Sequence, residues 1–363
     1  MRESVQARQQ RILGVIDHHG EVKTADLAEL TGVSMVTVRR DLDALARRGE
    51  VLRQHGRVRR SSDNQGVAGG NLGTVAIVVP ERHAYLAEVT QGARKQLERA
   101  GFRVVLSLTP HDRAAEREVI EQITAEKTDG LLLAPRWQTA EDEDRDTEIL
   151  AGLSVPTVLM ERHPGSSGRL HHVDSVSSDH THGVHLAVDH LVEQGHRRIV
   201  LASREDSPTA RRVHEAFIRI AETDSRIEHW RSVLSSSEAT ASATRSTEAA
   251  SRDNGWFPQL LREGEFTAAL IHSDENALVL TQRMAWAGMS VPGDCAVVAY
   301  DDTVAGLGSV PLTAVAPPKA AVGSTAADLL CQRLRAEQQG ETWVPRRVEL
   351  LPSLAVRDST RSR

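Results

Sequence analysis

The sequence predicts an α/β protein made of two Rossmann-like lobes preceded by a small winged helix-turn-helix domain. Three observations support this prediction: the length of 363 residues, a basic and helix-rich beginning, and a long zone in which apolar runs alternate with amphipathic helices. A chain of this length usually forms two or three folding units. Unalternated apolar strands separated by helices indicate a parallel sheet covered on both faces, and this zone is too long for one compact sheet.

Charge is distributed unevenly along the chain. The net formal charge is −6, but residues 1–62 contain 12 Lys and Arg against 8 Asp and Glu, about +4, which leaves about −10 for the rest. A basic head on an acidic body is expected where only the head touches nucleic acid. The chain has two cysteines, no leader-like segment and no apolar run of about 18 residues. These features predict a cytoplasmic protein with no membrane span.

The head is predicted to be a helix-turn-helix followed by a β-hairpin. Thr24 caps a short helix over 25–30 with Leu27 and Leu30 inward, and Ser34 caps a second helix to about Arg48. The core face of that second helix is Val38, Leu42 and Leu45, spaced at i, i+4 and i+7. Residues 50–60 then form a hairpin that turns near Gly56.

The outer face of the second helix is short, basic and hydroxylated, which suits entry into the major groove of DNA. Arginine can bond guanine in bidentate fashion, threonine can bond bases or phosphates, and Val36 can touch a thymine methyl. The hairpin arginines suit phosphate contacts. The alternative is a solvated three-helix bundle with ordinary arginine-rich faces. The predicted DNA-contacting residues are Ser34, Val36, Thr37, Arg39, Arg40, Arg47, Arg53, Arg57 and Arg59.

The head resembles the DeoR-type winged-helix domain. The resemblance rests on the series Ser-x-x-Thr-x-Arg-Arg-Asp-Leu over 34–42 and covers about one sixth of the chain. It departs at Arg57, where the family usually has a second glycine. The resemblance implies that the helix over 34–48 is the recognition helix. Asp41 then either holds an arginine through a salt bridge, which we favour, or accepts a bond from a cytosine amine.

Residues 61–71, SSDNQGVAGGN, predict a flexible linker, so the predicted domains are 1–60, 61–71 as linker, and 72–363. Apolar runs predict strands at 74–79, 103–108, 130–134, 156–160, 198–202, 268–272 and 296–300. Helical patterns occupy 84–100, 114–126, 180–194, 209–221, 275–287 and 320–336. The Ser-, Ala- and Thr-rich stretch 232–252 predicts a mobile surface excursion and a weak helix. The acidic run 141–146 predicts a solvated loop or helix face.

The body resembles the periplasmic-binding-protein-like sensor of the LacI/GalR family. The resemblance extends over nearly 290 residues and rests on an ordered series of short motifs at 74–80, 129–130, 190–199, 291–294, 300–302, 311–313 and 351–359. It implies two lobes joined by crossovers near 177–181, 309–318 and the last strand, with a small ligand between them. The chain therefore resembles a hybrid regulator, a DeoR-type head on a LacI/GalR-type sensor.

The resemblance implies a homodimeric transcriptional regulator, by family habit a repressor, with a double-stranded DNA operator and a small-molecule effector, a sugar, as partners. The effector-binding residues expected by position are Tyr85, Glu161, Arg162, Asp179, Arg211, Asp274 and Asp301. Each carboxylate has an alternative role as a helix cap or interlobe ion pair. Trp137 and Trp256, expected in loops, could stack on a ligand or simply pack.

Three positions depart from the family pattern. Glu161 stands where Asp is usual, Ser273 where Asn often precedes the aspartate, and Val213 at the position of a common effector-binding arginine. Either Arg211 or Arg212 substitutes for that arginine, or the ligand lacks the group that it holds.

Two other classes of protein fit the sequence less well. An enzyme is disfavoured because the sequence has no Gly-x-Ser-x-Gly elbow, no P-loop and no His-Glu-x-x-His helix. An exported solute-binding protein would need a signal peptide and no winged helix. The histidine cluster between 171 and 190 could hold zinc, but a histidine-rich exposed helix is far commoner. The sequence thus predicts no metal and no cofactor.

Overall fold

The computed structural model describes residues 5–19, 21–47, 51–54, 57–60, 72–81, 84–110, 113–125, 128–164, 170, 172–204, 206–235 and 255–361. They fall into two compact units, Met1–Gly70 and Asn71–Arg363, here called the head and the body. The predicted linker over 61–71 lies outside the described residues, and the domain limits of 1–60 and 72–363 stay a prediction.

The head packs three helices against a small antiparallel sheet of order β1-β3-β2. Its elements are α1 Val5–His19, β1 Glu21–Lys23, α2 Thr24–Thr31, α3 Met35–Arg47, β2 Val51–Gln54 and β3 Arg57–Arg60. The predicted core residues Leu27, Val38, Leu42 and Leu45 are fully buried, which confirms the period of α3. The predicted hairpin is confirmed by the pairing of β2 with β3, although its turn at 55–56 lies outside the described residues.

One inward residue of the head was predicted wrongly. Leu30 is 55% exposed, whereas the next residue, Thr31, is buried. The Thr31 hydroxyl donates to the carbonyl of Leu27 one turn earlier. Because this bond satisfies the hydroxyl inside the helix, the small threonine can occupy the inward position and Leu30 turns to solvent.

The body contains two six-stranded sheets, each covered by helices. The first lobe has strand order β14-β8-β7-β6-β4-β5, all parallel, and the second has order β10-β9-β11-β12-β13-β15, parallel except for β15. The strands are β4 Thr74–Pro80, β5 Arg103–Thr109, β6 Gly130–Leu133, β7 Thr157–Met160, β8 Asp174–Ser178, β9 Arg198–Ser203, β10 His229–Leu234, β11 Ala268–Ile271, β12 Ala296–Tyr300, β13 Thr313–Ala316, β14 Arg347–Leu350 and β15 Ser353–Ala355.

Eight helices pack on these sheets. They are α4 Ala84–Arg99, α5 Arg113–Ala125, α6 Ala140–Ala151, α7 His180–Glu193, α8 Pro208–Thr223, α9 Trp256–Glu263, α10 Asp274–Trp286 and α11 Lys319–Gln338, within the described part of the body. The acidic run 141–146 lies on α6 rather than in a loop. Trp256 opens α9, so its expected loop position was wrong. The stretch 232–252 begins with the last residues of β10, and from 236 onward it lies outside the described residues.

The chain crosses between the lobes at three places, as predicted. It leaves β8 for α7 through Asp179, leaves β13 for α11 through residues 317–318, and leaves β14 for β15 through residues 351–352. These crossovers place the carboxyl ends of both sets of parallel strands at one cleft. None of the described helices is both long and apolar enough to cross a membrane.

Candidate functional site

The outer face of α3 is a candidate nucleic-acid interface. Val36 is 79% exposed, and Ser34, Arg39 and Arg40 are also exposed. The hydroxyls of Ser34 and Thr37 lie 2.9 Å apart, and the Thr37 N–H donates to Ser34 Oγ over 3.4 Å, so Ser34 caps the helix as expected. Residues suited to base contacts therefore occupy the solvent side of the first turns. The side chains of Arg47, Arg53, Arg57 and Arg59 lie outside the described residues.

Asp41 anchors this helix to the head. Its Oδ2 accepts a hydrogen bond of 2.6 Å from Arg8 Nε, and its Oδ1 one of 3.3 Å from Gln9 Nε2, both on α1. Burial raises the pKa of the Asp41 carboxyl, but the bonds from Arg8 and Gln9 outweigh it and the pKa is lowered. The salt-bridge interpretation of Asp41 is thus confirmed. A carboxylate only 3% exposed and turned to α1 is not placed to meet a cytosine.

A cavity of about 250 Å³ lies between the two lobes of the body. Its walls are the loops and helix starts that follow β4, β6 and β7 in the first lobe and β9, β11 and β12 in the second. Ligands of α/β proteins bind at such carboxyl ends of parallel strands. The polar residues lining it are Glu81, Tyr85, Arg136, Gln138, Glu161, Arg162, Arg204, Asp206, Ser207, Thr209, His272, Ser273, Asp274, Glu275, Asp301 and Thr303.

Five of the seven predicted effector residues come together in this cavity: Tyr85, Glu161, Arg162, Asp274 and Asp301. Asp179 and Arg211 do not line it. Asp179 caps α7, where its Oδ1 accepts the His182 N–H at 2.8 Å. Arg211 reaches from α8 to the first lobe. The sequence reasoning missed Arg136, Gln138, Arg204, Asp206 and His272, although their positions just beyond β6, β9 and β11 could have identified them.

Glu161 and Tyr85 form a buried pair in the first-lobe wall. Glu161 Oε1 accepts from the Tyr85 hydroxyl at 2.7 Å and from Ser178 Oγ at 2.8 Å, while His180 Nε2 lies 3.6 Å from Oε2. Burial raises the pKa of Glu161, but the nearby imidazole of His180 and the hydrogen bonds from Tyr85 and Ser178 lower it to about 2. Glu161 is therefore a charged group whose oxygens are already bonded within the protein.

The arginines that line the cavity are also engaged with the protein. Arg162 donates to the carbonyls of Pro135 and Glu161, and burial lowers its pKa to about 10. Arg136 donates to the carbonyls of Thr109 and Pro110. Arg204 forms a bidentate pair with Asp206, with both distances 2.7 Å.

Asp274 has a structural role in the second-lobe wall. Its Oδ2 accepts the backbone N–H groups of Thr303, Val304 and Ala305, at 2.5, 2.6 and 3.1 Å. These bonds fix the turn that follows β12, and they occupy the hydrogen-bonding capacity of Oδ2.

Asp301 differs from the other carboxylates because part of its bonding capacity is unused. It is 8% exposed, and its Oδ1 has no hydrogen-bond partner among the described residues. Burial and the neighbouring charge of Asp274 raise its pKa to about 7, against the opposing charge of Lys319. The hydroxyls of Ser273 and Thr303, also in the cavity wall, are likewise buried and unbonded within the described part of the chain.

Two other predicted candidates have packing roles. Trp137 is 2% exposed in the first-lobe core, and Trp256 packs edge-on against Phe257 with ring centroids 5.3 Å apart. Neither lines the cavity. The described residues contain no group of three His, Cys, Asp or Glu side chains able to hold a metal ion; His171 of the histidine cluster lies outside them.

Comparison with known proteins assigns both units. Residues 8–64 match the DeoR-like helix-turn-helix domain, and residues 188–360 match the periplasmic binding protein-like domain. The arabinose metabolism transcriptional repressor of Geobacillus stearothermophilus is 28% identical over 93% of this chain and 90% of that protein. The transcriptional repressor PurR of Aliivibrio salmonicida is 24% identical over 72% of this chain and 75% of that protein.

Solved structures show the same fold. The complex of the transcriptional regulator CelR with cellobiose has a TM-score of 0.63 and 23% identity, and it covers 99% of this chain and 100% of that chain. A LacI-type regulator from Alkaliphilus metalliredigens with D-xylulofuranose has a TM-score of 0.62 and 19% identity, covering 80% of this chain and 100% of that one.

The fold, the exposed recognition helix and the interlobe cavity together define a DNA-binding transcriptional regulator with a ligand-binding sensor. The chain combines a head that matches the DeoR-like helix-turn-helix domain with a body that matches the periplasmic binding protein-like domain and has the fold of LacI-type regulators.

Proposed function

We propose that this chain is a cytoplasmic, homodimeric repressor whose operator affinity changes when a small neutral sugar binds between the lobes of the body. Asp301, Ser273 and Thr303 receive hydroxyls of the sugar, and Tyr85, Glu161, Arg162 and Asp274 shape the wall around it. The chain has no enzymatic role. The α3 residues Val36, Thr37, Arg39 and Arg40 contact bases, and the hairpin arginines contact phosphates.

The buried, unbonded oxygens of Asp301, Ser273 and Thr303 are the observation that supports a polyhydroxyl ligand. A buried polar atom without a partner is costly, so such atoms at a cavity wall indicate a ligand that supplies the missing bonds. The volume of about 250 Å³ lies just below the range of drug-sized pockets, which favours a ligand of monosaccharide size.

The charges at the cavity favour a neutral sugar over a sugar phosphate. Among the described lining residues, Arg136, Arg162 and Arg204 each already donate to protein carbonyls or carboxylates. The carboxyl groups around them outnumber them. A phosphate dianion would therefore meet acidic side chains without a cation preset to receive it.

A test panel follows from the name of the arabinose metabolism repressor and from the sugars in solved structures of similar regulators, which are xylulose, ribose and cellobiose. The panel is L-arabinose, D-xylulose, D-ribose and cellobiose, with D-ribose 5-phosphate as the charged control. Full-length protein first selects its operator from a random DNA library, and fluorescence anisotropy then measures operator affinity with each compound. We expect one neutral sugar to change the affinity by about tenfold, a normal allosteric coupling.

Asp301→Ala should abolish that response, whereas Asp179→Ala, outside the cavity, should retain it. A response to the phosphate alone, or to no panel member, would contradict the proposal of a neutral-sugar sensor.

A further inference from the structure

Lys319 is a buried cation in a chain whose basic residues are mostly arginines. The sequence has 40 arginines and only 4 lysines, yet Lys319 is 6% exposed at the first position of α11. A lysine ammonium is a compact point charge with three donors, whereas a guanidinium is a wide planar fork. The site therefore calls for a small cation that can donate in several directions.

The Lys319 ammonium bonds the turn that presents Asp301 to the cavity. Nζ donates to the Asp301 carbonyl at 2.5 Å and lies 3.4 Å from the Asp302 carbonyl. Both aspartates have positive φ values, 97° and 49°, in the left-handed region that non-glycine residues rarely adopt. Such a backbone persists only where its surroundings hold it, and two carbonyls converging on one cation supply such a hold.

The same ammonium also contacts two side chains of the first lobe. Its Nζ lies 3.8 Å from Glu88 Oε1 and 5.5 Å from the centre of the Tyr85 ring, and both residues belong to α4. A cation over an aromatic face is attracted to it. Lys319 thus reaches from first-lobe partners to a second-lobe turn.

Helix α11 is itself held tightly against α4. A Cβ at Gly323 would lie 1.9 Å from the Val89 carbonyl oxygen, and one at Gly92 would lie 2.1 Å from the Ala320 carbonyl oxygen. The two backbones are therefore in direct contact at Ala320 and Gly323, at the start of α11, which begins with Lys319. Side chains of both helices share the first-lobe core. The base of Lys319 is consequently a rigid part of the first lobe.

We propose that Lys319 is a positioning residue that sets the Asp301–Asp302 turn and ties it to the first lobe. This inference rests on the proposed function, because Asp301 is the residue we assign to the sugar. Sugar binding at Asp301 would then act on a turn that is already fixed to α4 and α11, so occupancy of one wall would be transmitted to the other lobe.

Hydrogen–deuterium exchange of the full chain tests the positioning role without any ligand. The reporters are the amides of residues 301 and 303–305, which bond Val315 and Asp274. Lys319→Met keeps the apolar stem and removes the charge. We expect exchange at 301–305 to accelerate about tenfold, the effect of one charged hydrogen bond, while residues 84–99 and 319–338 keep wild-type rates. Lys95→Met, at an exposed site on α4, should change neither region.

Lys319→Arg is the second variant, in case the methionine variant does not fold. It retains the charge, so the 301–305 amides should be slower than in Lys319→Met. Unchanged exchange at 301–305 in Lys319→Met would overturn the proposal. So would acceleration of equal size across α4 and α11, because that pattern is expected of a residue that only packs the helices.

A second arm measures binding of the four panel sugars, L-arabinose, D-xylulose, D-ribose and cellobiose, by calorimetry. For a sugar that the wild-type chain binds, Lys319→Met should weaken binding about tenfold and Lys95→Met should not. Equal affinity of wild type and Lys319→Met would overturn the proposal. If no sugar binds the wild type, the proposed function fails, while the exchange experiment still decides the role of Lys319.

Discussion

Asp301 combines burial, an unbonded Oδ1 and the nearby negative charge of Asp274, and together these make its charged form costly in the folded state. Its pKa rises from 3.8 to about 7. The folded chain therefore holds this proton more tightly than the unfolded chain. The stability from that proton is full below 3.8 and is lost as pH rises to about 7.

Asp301→Asn, which keeps the shape and stays neutral, should therefore stabilise the chain most at high pH. We expect the thermal midpoint to rise by about 2–4 °C at about pH 8 and to change little below the ordinary pKa. The measurement is a thermal melt across the pH range, with Asp144→Asn, at an exposed position of α6, as control. A gain of the same size at every pH would contradict the assigned pKa.

Tyr85 stabilises the folded chain through its hydrogen bond to Glu161, and the pH dependence of this stabilisation is opposite to that of Asp301. The pKa of Glu161 falls from 4.5 to about 2, so the stability from its hydrogen bonds is present above 4.5 and is lost as pH falls toward 2. Tyr85→Phe should cost about 1.5–3 kcal/mol in urea unfolding at neutral pH, since a charged acceptor loses one donor. The cost should shrink as the medium is acidified. A constant cost would mean that lost packing, and not the bond to Glu161, dominates.

At the residue scale, the sequence located carboxylates better than it assigned their roles. Position alone placed Asp274 and Asp301 in the cavity, but whether three amides would consume a carboxylate, as at Asp274, depends on a turn formed 29–31 residues away. Lys319 gave no signal because its hydrogen bonds go to backbone carbonyls, which every residue has.

At the scale of elements, the crossing of α4 and α11 depends on glycine. Gly323→Ala places a methyl group 1.9 Å from the Val89 carbonyl oxygen, so one helix must move. We expect a loss of about 2–3 kcal/mol or more, as for overpacked cores. Gly255→Ala, with nothing within 4 Å of the added Cβ, is the control and should cost less, up to about 1 kcal/mol, because alanine is a poorer N-cap than glycine. Chemical unfolding of the full chain measures both; equal midpoints would show that the helices separate easily.

The recognition helix and the hairpin should differ in how they bind DNA. Arg40→Ala should lower operator binding more than nonspecific binding, by about 1–3 kcal/mol, because Arg40 is exposed on the outer face of α3. Arg59→Ala should weaken both kinds of binding similarly and reduce the salt slope by about one unit. Titrations at several salt concentrations with operator and scrambled DNA separate the two effects. Equal behaviour of the two variants would contradict the assignment.

The predicted strands are confirmed where both faces of the strand are buried, whereas a strand next to a crossover was not predicted. The strands β4, β6 and β7 are continuous apolar runs because both faces are covered. Strand β8, Asp-Ser-Val-Ser-Ser, is just as buried, but its polar side chains serve Glu161 and the route to the second lobe, so no hydrophobic pattern marks it. For α6, the acidic first turn, which Thr139 caps, left a loop and a helix face as alternatives, and the helix is the one observed.

At the scale of the whole body, the family pattern predicted two lobes and three crossovers, but it could not predict the contact that spans the cleft. The Arg211 guanidinium, on α8 of the second lobe, donates to the carbonyls of Trp137 and Gln138 in the first lobe at 3.0 and 2.6 Å. Trp137 has φ 37°, so its carbonyl is presented from a left-handed turn. The sequence shows an arginine at position 211, but it does not show which backbone oxygens accept its hydrogen bonds.

This contact predicts how strongly the lobes are held together. Two charge-assisted bonds to carbonyls favour the arrangement in which α8 meets the loop after β6, so Arg211→Ala should broaden the distribution of interlobe distances. Spin labels at Lys95→Cys and Glu222→Cys, exposed sites in opposite lobes, report that distance, and the native Cys295 and Cys331 are buried. Arg212→Ala, at the exposed neighbouring position, is the matched control and should retain the wild-type distribution. If Arg211→Ala also retains it, the crossovers alone determine the interlobe geometry and Arg211 contributes nothing to closure.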